Sequence, residues 1–219
     1  VTALVADLES ALPLIWGRKI GSIFFGGGTP SLLSGAGLDS LLTAIRTRLP
    51  LLPDAEVTLE ANPETVTEET LRGFRAAGVN RISFGVQSFD DDKLRRLCQE
   101  AVDAGFSHVK LKVGHDLQDD IRRVRIAREV LGPDRQLMID ANQVWEVDEA
   151  IDWVRELSFA NPWFIEEPTS PDDVEGHRKI RLGVAPVKVA TGEMCQNRIV
   201  FKQLIMREAI DVVQIDACR

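Results

Sequence analysis

Three carboxylates recur at matching places along the chain: Asp140, Glu166 and Glu193 each follow a short apolar run, about 26 or 27 residues apart. If those runs are successive strands of one repeating unit, the three side chains converge at one end of the sheet. All three are hard oxygen donors, a set that suits Mg²⁺ and not a thiophilic metal. Lys110 and Lys112 lie two apart on a further apolar run and so share one strand face. A lysine held beside a cationic metal has a lowered pKa and can act as a general base. Asp216 ends the last such run. Glu167 is expected to be a loop carboxylate or one that supports the ligands from behind, and not a ligand. None of the histidines fits an acid/base role: His108 opens its run, His177 falls in a helical segment, and His115 is expected to be an exposed loop residue.

The elements that must position these groups follow from hydrophobic periodicity. Apolar, β-branched runs cover 20–25, 56–60, 81–86, 108–113, 137–140, 163–166, 187–190 and 212–216. Helix-period segments separate them at 38–48, 68–77, 91–104, 117–131, 147–157, 175–182 and 198–206. Eight strands alternating with helices predict an α/β fold, a (βα)8 TIM barrel with its working groups at the C-terminal strand ends. The N-terminal segment carries Leu4, Val5, Leu8, Leu12 and Ile15 at helical spacing and is expected to fill the place of the last helix, Leu4, Leu8 and Leu12 facing the sheet. An open sheet would instead leave two long edges.

At 219 residues the chain is near the roughly 250 of such a barrel, and a single domain over 1–219 is expected. A formal net charge of −8 argues against nucleic acid or an anionic membrane as partner. No partner is required, and a divalent metal is the expected ligand. Cys98, Cys195 and Cys218 are odd in number and far apart, which fits reduced thiols in a cytoplasmic protein.

Residues 1 to about 95 carry IFFGGGTPSL, LEANP and GVNRISFGVQSF. Together these resemble the oxygen-independent coproporphyrinogen oxidase-like radical S-adenosylmethionine proteins, the HemW family. The resemblance implies that Gly26, Gly27 and Gly28 approach the methionine part of the cofactor and that Glu60 and Gln87 meet its polar groups. In that family three cysteines at CxxxCxxC spacing precede GGGTP and hold an iron-sulfur cluster; no segment here supplies the spacing, so no cluster is expected. Read from the residues alone, GGGTP is a tight strand-to-helix turn, the glycines providing φ freedom and Pro30 opening a helix.

From about 91 to 219 the chain carries KLKVG, QDD, DANQ, EEPTSPDD, TGE, QNR and QID in that order. This series resembles the enolase superfamily, in its mandelate racemase branch, and the L-fuconate dehydratase-type acid-sugar dehydratases above all. The resemblance implies that Asp140, Glu166 and Glu193 ligate Mg²⁺, that Lys112 removes a proton α to a carboxylate beside Lys110, and that Asp216 is the acid of a His-Asp dyad whose histidine belongs to a following strand. It also implies a capping domain over the substrate.

The two resemblances meet between Phe89 and Gln99. A three-strand piece joined to a five-strand piece makes eight, by engineering or by recombination, and such a chimera is expected to have no complete catalytic site and a function limited to folding. Two other classes compete: a Mg²⁺-dependent acid-sugar dehydratase or racemase, and a module that binds S-adenosylmethionine without radical chemistry.

Overall fold

The computed structural model describes residues 1–62, 65–84 and 90–216. Eight strands and eight helices alternate: α1 (Thr2–Ile15), β1 (Ile20–Phe25), α2 (Gly35–Arg48), β2 (Leu51–Ala61), α3 (Glu68–Ala77), β3 (Arg81–Phe84), α4 (Asp91–Asp103), β4 (His108–Lys112), α5 (Leu117–Leu131), β5 (Gln136–Asp140), α6 (Val147–Leu157), β6 (Phe164–Glu166), α7 (Val174–Val184), β7 (Lys188–Thr191), α8 (Arg198–Met206) and β8 (Val212–Val213). The strands follow one another in sequence order in one eight-stranded sheet, and their alternation with helices makes the fold α/β. No described helix is long and apolar enough to cross a membrane.

The chain divides into two compact units, Val1–Val86 with Arg96–Val109, and Gln87–Arg95 with Lys110–Arg219. In the first, β1 and β2 pair with Ser22 opposite Glu56 and Phe25 opposite Leu59, and β2 pairs with β3 from Thr58–Arg81 to Ala61–Phe84. The helix α3 shows why this stretch folds locally. Thr67 and Thr70 form a reciprocal capping box at its start, Leu71, Phe74 and Ala77 make a buried stripe at i, i+3, i+6, and Gly78 ends it at φ 112°. A methyl group on Gly35 would lie 3.1 Å from the Cα of Gly73, so α2 and α3 approach each other through two glycines.

Two expectations are corrected here. Strand β2 starts five residues earlier than its alternating segment, because Leu51 pairs with Ile20 across a register irregularity that the periodicity of 56–60 does not reveal. The N-terminal helix does not bury Leu4, Leu8 and Leu12 against the sheet. None of its residues is buried, Leu4 is 54% exposed, and it packs beside α2, where Arg48 pairs with Glu9 at 2.5 Å.

In the second unit, Asp140 stands directly opposite Glu166, and Glu166 opposite Ala190. The register continues past the strand ends, where Val113 N donates to Asp140 O, Ala141 N to Glu166 O, Glu167 N to Ala190 O and Gln214 N to Thr191 O, all at 2.9 to 3.0 Å. Met138, Phe164 and Ala190 form one apolar cluster with Trp163 and Val212 packed against it. Met138 and Phe164 precede Asp140 and Glu166 by two residues and share their sheet face. The carboxylates therefore stand on an apolar layer.

Candidate metal and proton-transfer site

Strand β4 supplies Lys110, which is 2% exposed, with Val109 and Leu111 buried on the opposite face. Its Nζ lies 3.0 Å from Asp140 Oδ2 and 2.5 Å from Glu166 Oε1. The in-register pair is thus bridged by an ammonium. Although burial opposes the charged form, Asp140 and Glu166 together hold the Lys110 pKa above its ordinary value. Lys112, two residues on, is half-buried at the strand end.

Glu166 is 1% exposed, and burial pushes its pKa up against the lowering influence of Lys110. Its Oε2 is buried and makes no well-formed hydrogen bond, although the Gln214 side chain is near enough to lower the pKa of the group. Glu193 follows β7 in the next loop, and burial with the charges of Glu166, Glu167 and Asp140 raises its pKa to about 7. The three expected ligands therefore share one electrostatic environment. Among the described residues, however, no group of three His, Cys, Asp or Glu side chains is assembled to hold a metal ion. The chemistry of the donor set fits Mg²⁺: every candidate ligand is a carboxylate, and one buried Glu166 oxygen makes no well-formed hydrogen bond.

Glu193 gives the site a pH dependence. From about pH 4.5 to about 7 the folded chain keeps a proton that the unfolded chain has released, so this group's contribution to stability falls as pH rises through that window. In EDTA, the stability of the wild type relative to Glu193→Gln is expected to decline between about pH 5 and about pH 8, read from urea midpoints. A pH-independent difference would place the Glu193 carboxyl in a water-like setting.

Gln214 escaped the sequence reading, and Glu167 was only half placed by it. Glu167, expected to be a loop carboxylate or one that supports the ligands, is 1% exposed, sits at φ 44°, and accepts from Gln143 Nε2 at 2.9 Å, while Gln143 N donates to Glu167 O at 2.7 Å. Burial raises its pKa. Gln214 also interacts with Glu166 and lowers its pKa. Gln214 directly follows β8, and its place in the QID series is the signal that could have drawn attention to it.

The other expected residues are placed as follows. Asp216 is exposed. His177 is buried in α7 with Nδ1 2.8 Å from Asp173 O, His108 begins β4, and His115 lies in the loop after it. In the first unit, Gly27 and Gly28 adopt φ 75° and 60° with open space where a side chain would go. Those are turn conformations that suit glycine. Gly27 N is 3.4 Å from Glu60 Oε2. Gly26 is crowded by Phe24. Gln87 and Cys218 lie outside the described residues. Cys98 is buried in α4, where desolvation pushes its thiol up to about 12, and Cys195 is buried before α8.

Residues 93–219 match the enolase C-terminal domain-like family, and residues 5–154 match the radical SAM superfamily. The chain is 53% identical over 164 residues to the L-galactonate dehydratase of Hypocrea jecorina, covering 73% of this chain and 36% of that one. It is 53% identical over 97 residues to the heme chaperone HemW of Escherichia coli, covering 44% of this chain and 26% of the relative. The chain thus spans about a third or less of these relatives' own length. Among solved structures, human mitochondrial enolase superfamily member 1 aligns with a TM-score of 0.62 at 43% identity, over 69% of this chain and 36% of that one. A Streptomyces coelicolor racemase with bound magnesium aligns with a TM-score of 0.59 at 31% identity, over 62% and 41%. Two families that carry different motifs at different ends are matched in one polypeptide, and the chain belongs to both, the radical SAM superfamily and the enolase C-terminal domain-like family, as a chimera of the two.

Proposed function

We propose that this chimera keeps a divalent-cation site at Asp140, Glu166 and Glu193 and that it turns over no acid sugar there, so that its function is folding with residual Mg²⁺ binding. The observation that carries this reading is the Glu166 carboxylate: Lys110 holds one oxygen, and the other is buried with no well-formed hydrogen bond, only the nearby Gln214 side chain acting on the group. A cation would remove that deficit. The magnesium in the aligned racemase supports the choice of metal.

When bound, Mg²⁺ supplies electrostatic stabilisation of charge developing on a substrate carboxylate. The chain's own residues divide the remaining work. Lys112 is the base candidate, half-buried at the end of β4, and Lys110 holds Asp140 and Glu166 in place. The second proton carrier is where the set falls short. Asp216 is exposed, and the placement of His108 and His177 takes both away from that role.

With millimolar Mg²⁺, turnover of L-galactonate, L-fuconate and related acid sugars is expected at background, measured by formation of the 2-keto product. Product formation that disappeared in Lys112→Ala would replace this reading with a working dehydratase, the alternative that the similarity to L-galactonate dehydratase favours.

A further inference from the structure

Asp140 and Glu166 stand opposite each other on adjacent strands, both almost fully buried, over an apolar layer. Two such carboxylates cannot be left unneutralised in a poorly solvated place. The Lys110 ammonium reaches both, and at 2% exposure it has little water to share its charge with. From this we infer that Lys110 is a built-in counter-ion: it keeps the acid pair folded and in register when no metal is present, and it weakens divalent-cation binding in exchange. The inference rests on the cation reading above and adds to it how that site is regulated.

Opposite effects of one charge make the inference testable. An ammonium 2.5 to 3.0 Å from two ligand carboxylates attracts them in the metal-free chain and repels an incoming cation. Removing that charge must therefore act with opposite signs on the two states. A residue whose only role was packing would lower stability with and without metal and leave affinity unchanged or poorer.

The experiment uses the full chain and Lys110→Met, which keeps the length and apolar stem of the side chain. In EDTA the variant is expected to melt roughly 10 °C lower than the wild type, since breaking a buried pair on one side leaves charge uncompensated. Calorimetric titration with MgCl₂ is expected to give an affinity about tenfold tighter or more, because a positive charge beside the ligands is gone. If the wild type binds Mg²⁺ and Lys110→Met binds it no more tightly, or if the two melt alike in EDTA, the counter-ion inference is wrong while the cation reading stands. If neither protein binds Mg²⁺, both are wrong. Should Lys110→Met not fold in EDTA, the double variant Lys110→Met/Glu166→Gln removes one acid as well and is expected to fold; its failure to do so would also overturn the inference.

Discussion

Saturating Mg²⁺ is expected to raise the melting temperature of the wild-type chain by roughly 5 to 10 °C, and Glu193→Gln is expected to abolish that rise. A ligand that binds only the folded state at about 100 times its dissociation constant stabilises by about 2.7 kcal/mol, and each kcal/mol moves the midpoint of a domain this size by roughly 2 to 4 °C. The response is expected to grow with pH, because the Glu193 proton, held with a pKa of about 7, must leave before its carboxylate can coordinate. In EDTA near pH 8 the substituted amide carries no charge, so the variant loses the repulsion from Glu166, Glu167 and Asp140 and is expected to be as stable as the wild type or more so. That combination distinguishes a ligand from a structural carboxylate, whose replacement would cost stability in EDTA. A variant that still responds to Mg²⁺ as strongly as the wild type would remove Glu193 from the ligand set.

The positions of Asp140 and Glu166 were legible because both follow apolar β-branched runs of similar length, and in a parallel sheet equal spacing brings equal strand ends into register. Lys110 and Lys112 were legible as a same-face pair, but their ranking was not. Which of the two reaches the acids depends on depth along the strand, and periodicity carries no depth: Lys110, one residue pair further in, makes the ion pairs. Glu167 was legible as a loop or supporting carboxylate, but its inward turn was not, for a related reason. An EEP sequence marks the end of a strand, yet only the left-handed backbone at φ 44° turns the second carboxylate inward to Gln143. The helix α1 misled because an apolar stripe at helical spacing states that a face seeks a partner without naming it. Its neighbour is α2, which offers Arg48 for Glu9.

Gly192→Ala is expected to cost about 3 kcal/mol or more, a fall of roughly 6 to 12 °C in melting temperature, and to take the Mg²⁺ response with it. Gly192 has φ 140°, outside the range that L side chains readily adopt, and a methyl group there would stand 2.0 Å from the backbone oxygen of Gln214 and 2.7 Å from Phe201 Cε1. The nearest obstacle is main chain, so no rotamer change can relieve it. Relief requires the segment after β8 to move away from β7, which breaks the bond from Gln214 N to Thr191 O and draws the Gln214 side chain away from Glu166. It also redirects the peptide that leads into Glu193. Gly21→Ala is the control, since a methyl group there meets Leu52 at an ordinary 3.7 Å and Gly21, although it stands at the register irregularity of β1, has no left-handed φ; it is expected to change the midpoint by no more than about 2 °C. If Gly192→Ala melts within that same margin and still responds to Mg²⁺, the close approach between the ends of β7 and β8 does not hold Glu193 in place, and the third ligand owes its position to the loop that follows it.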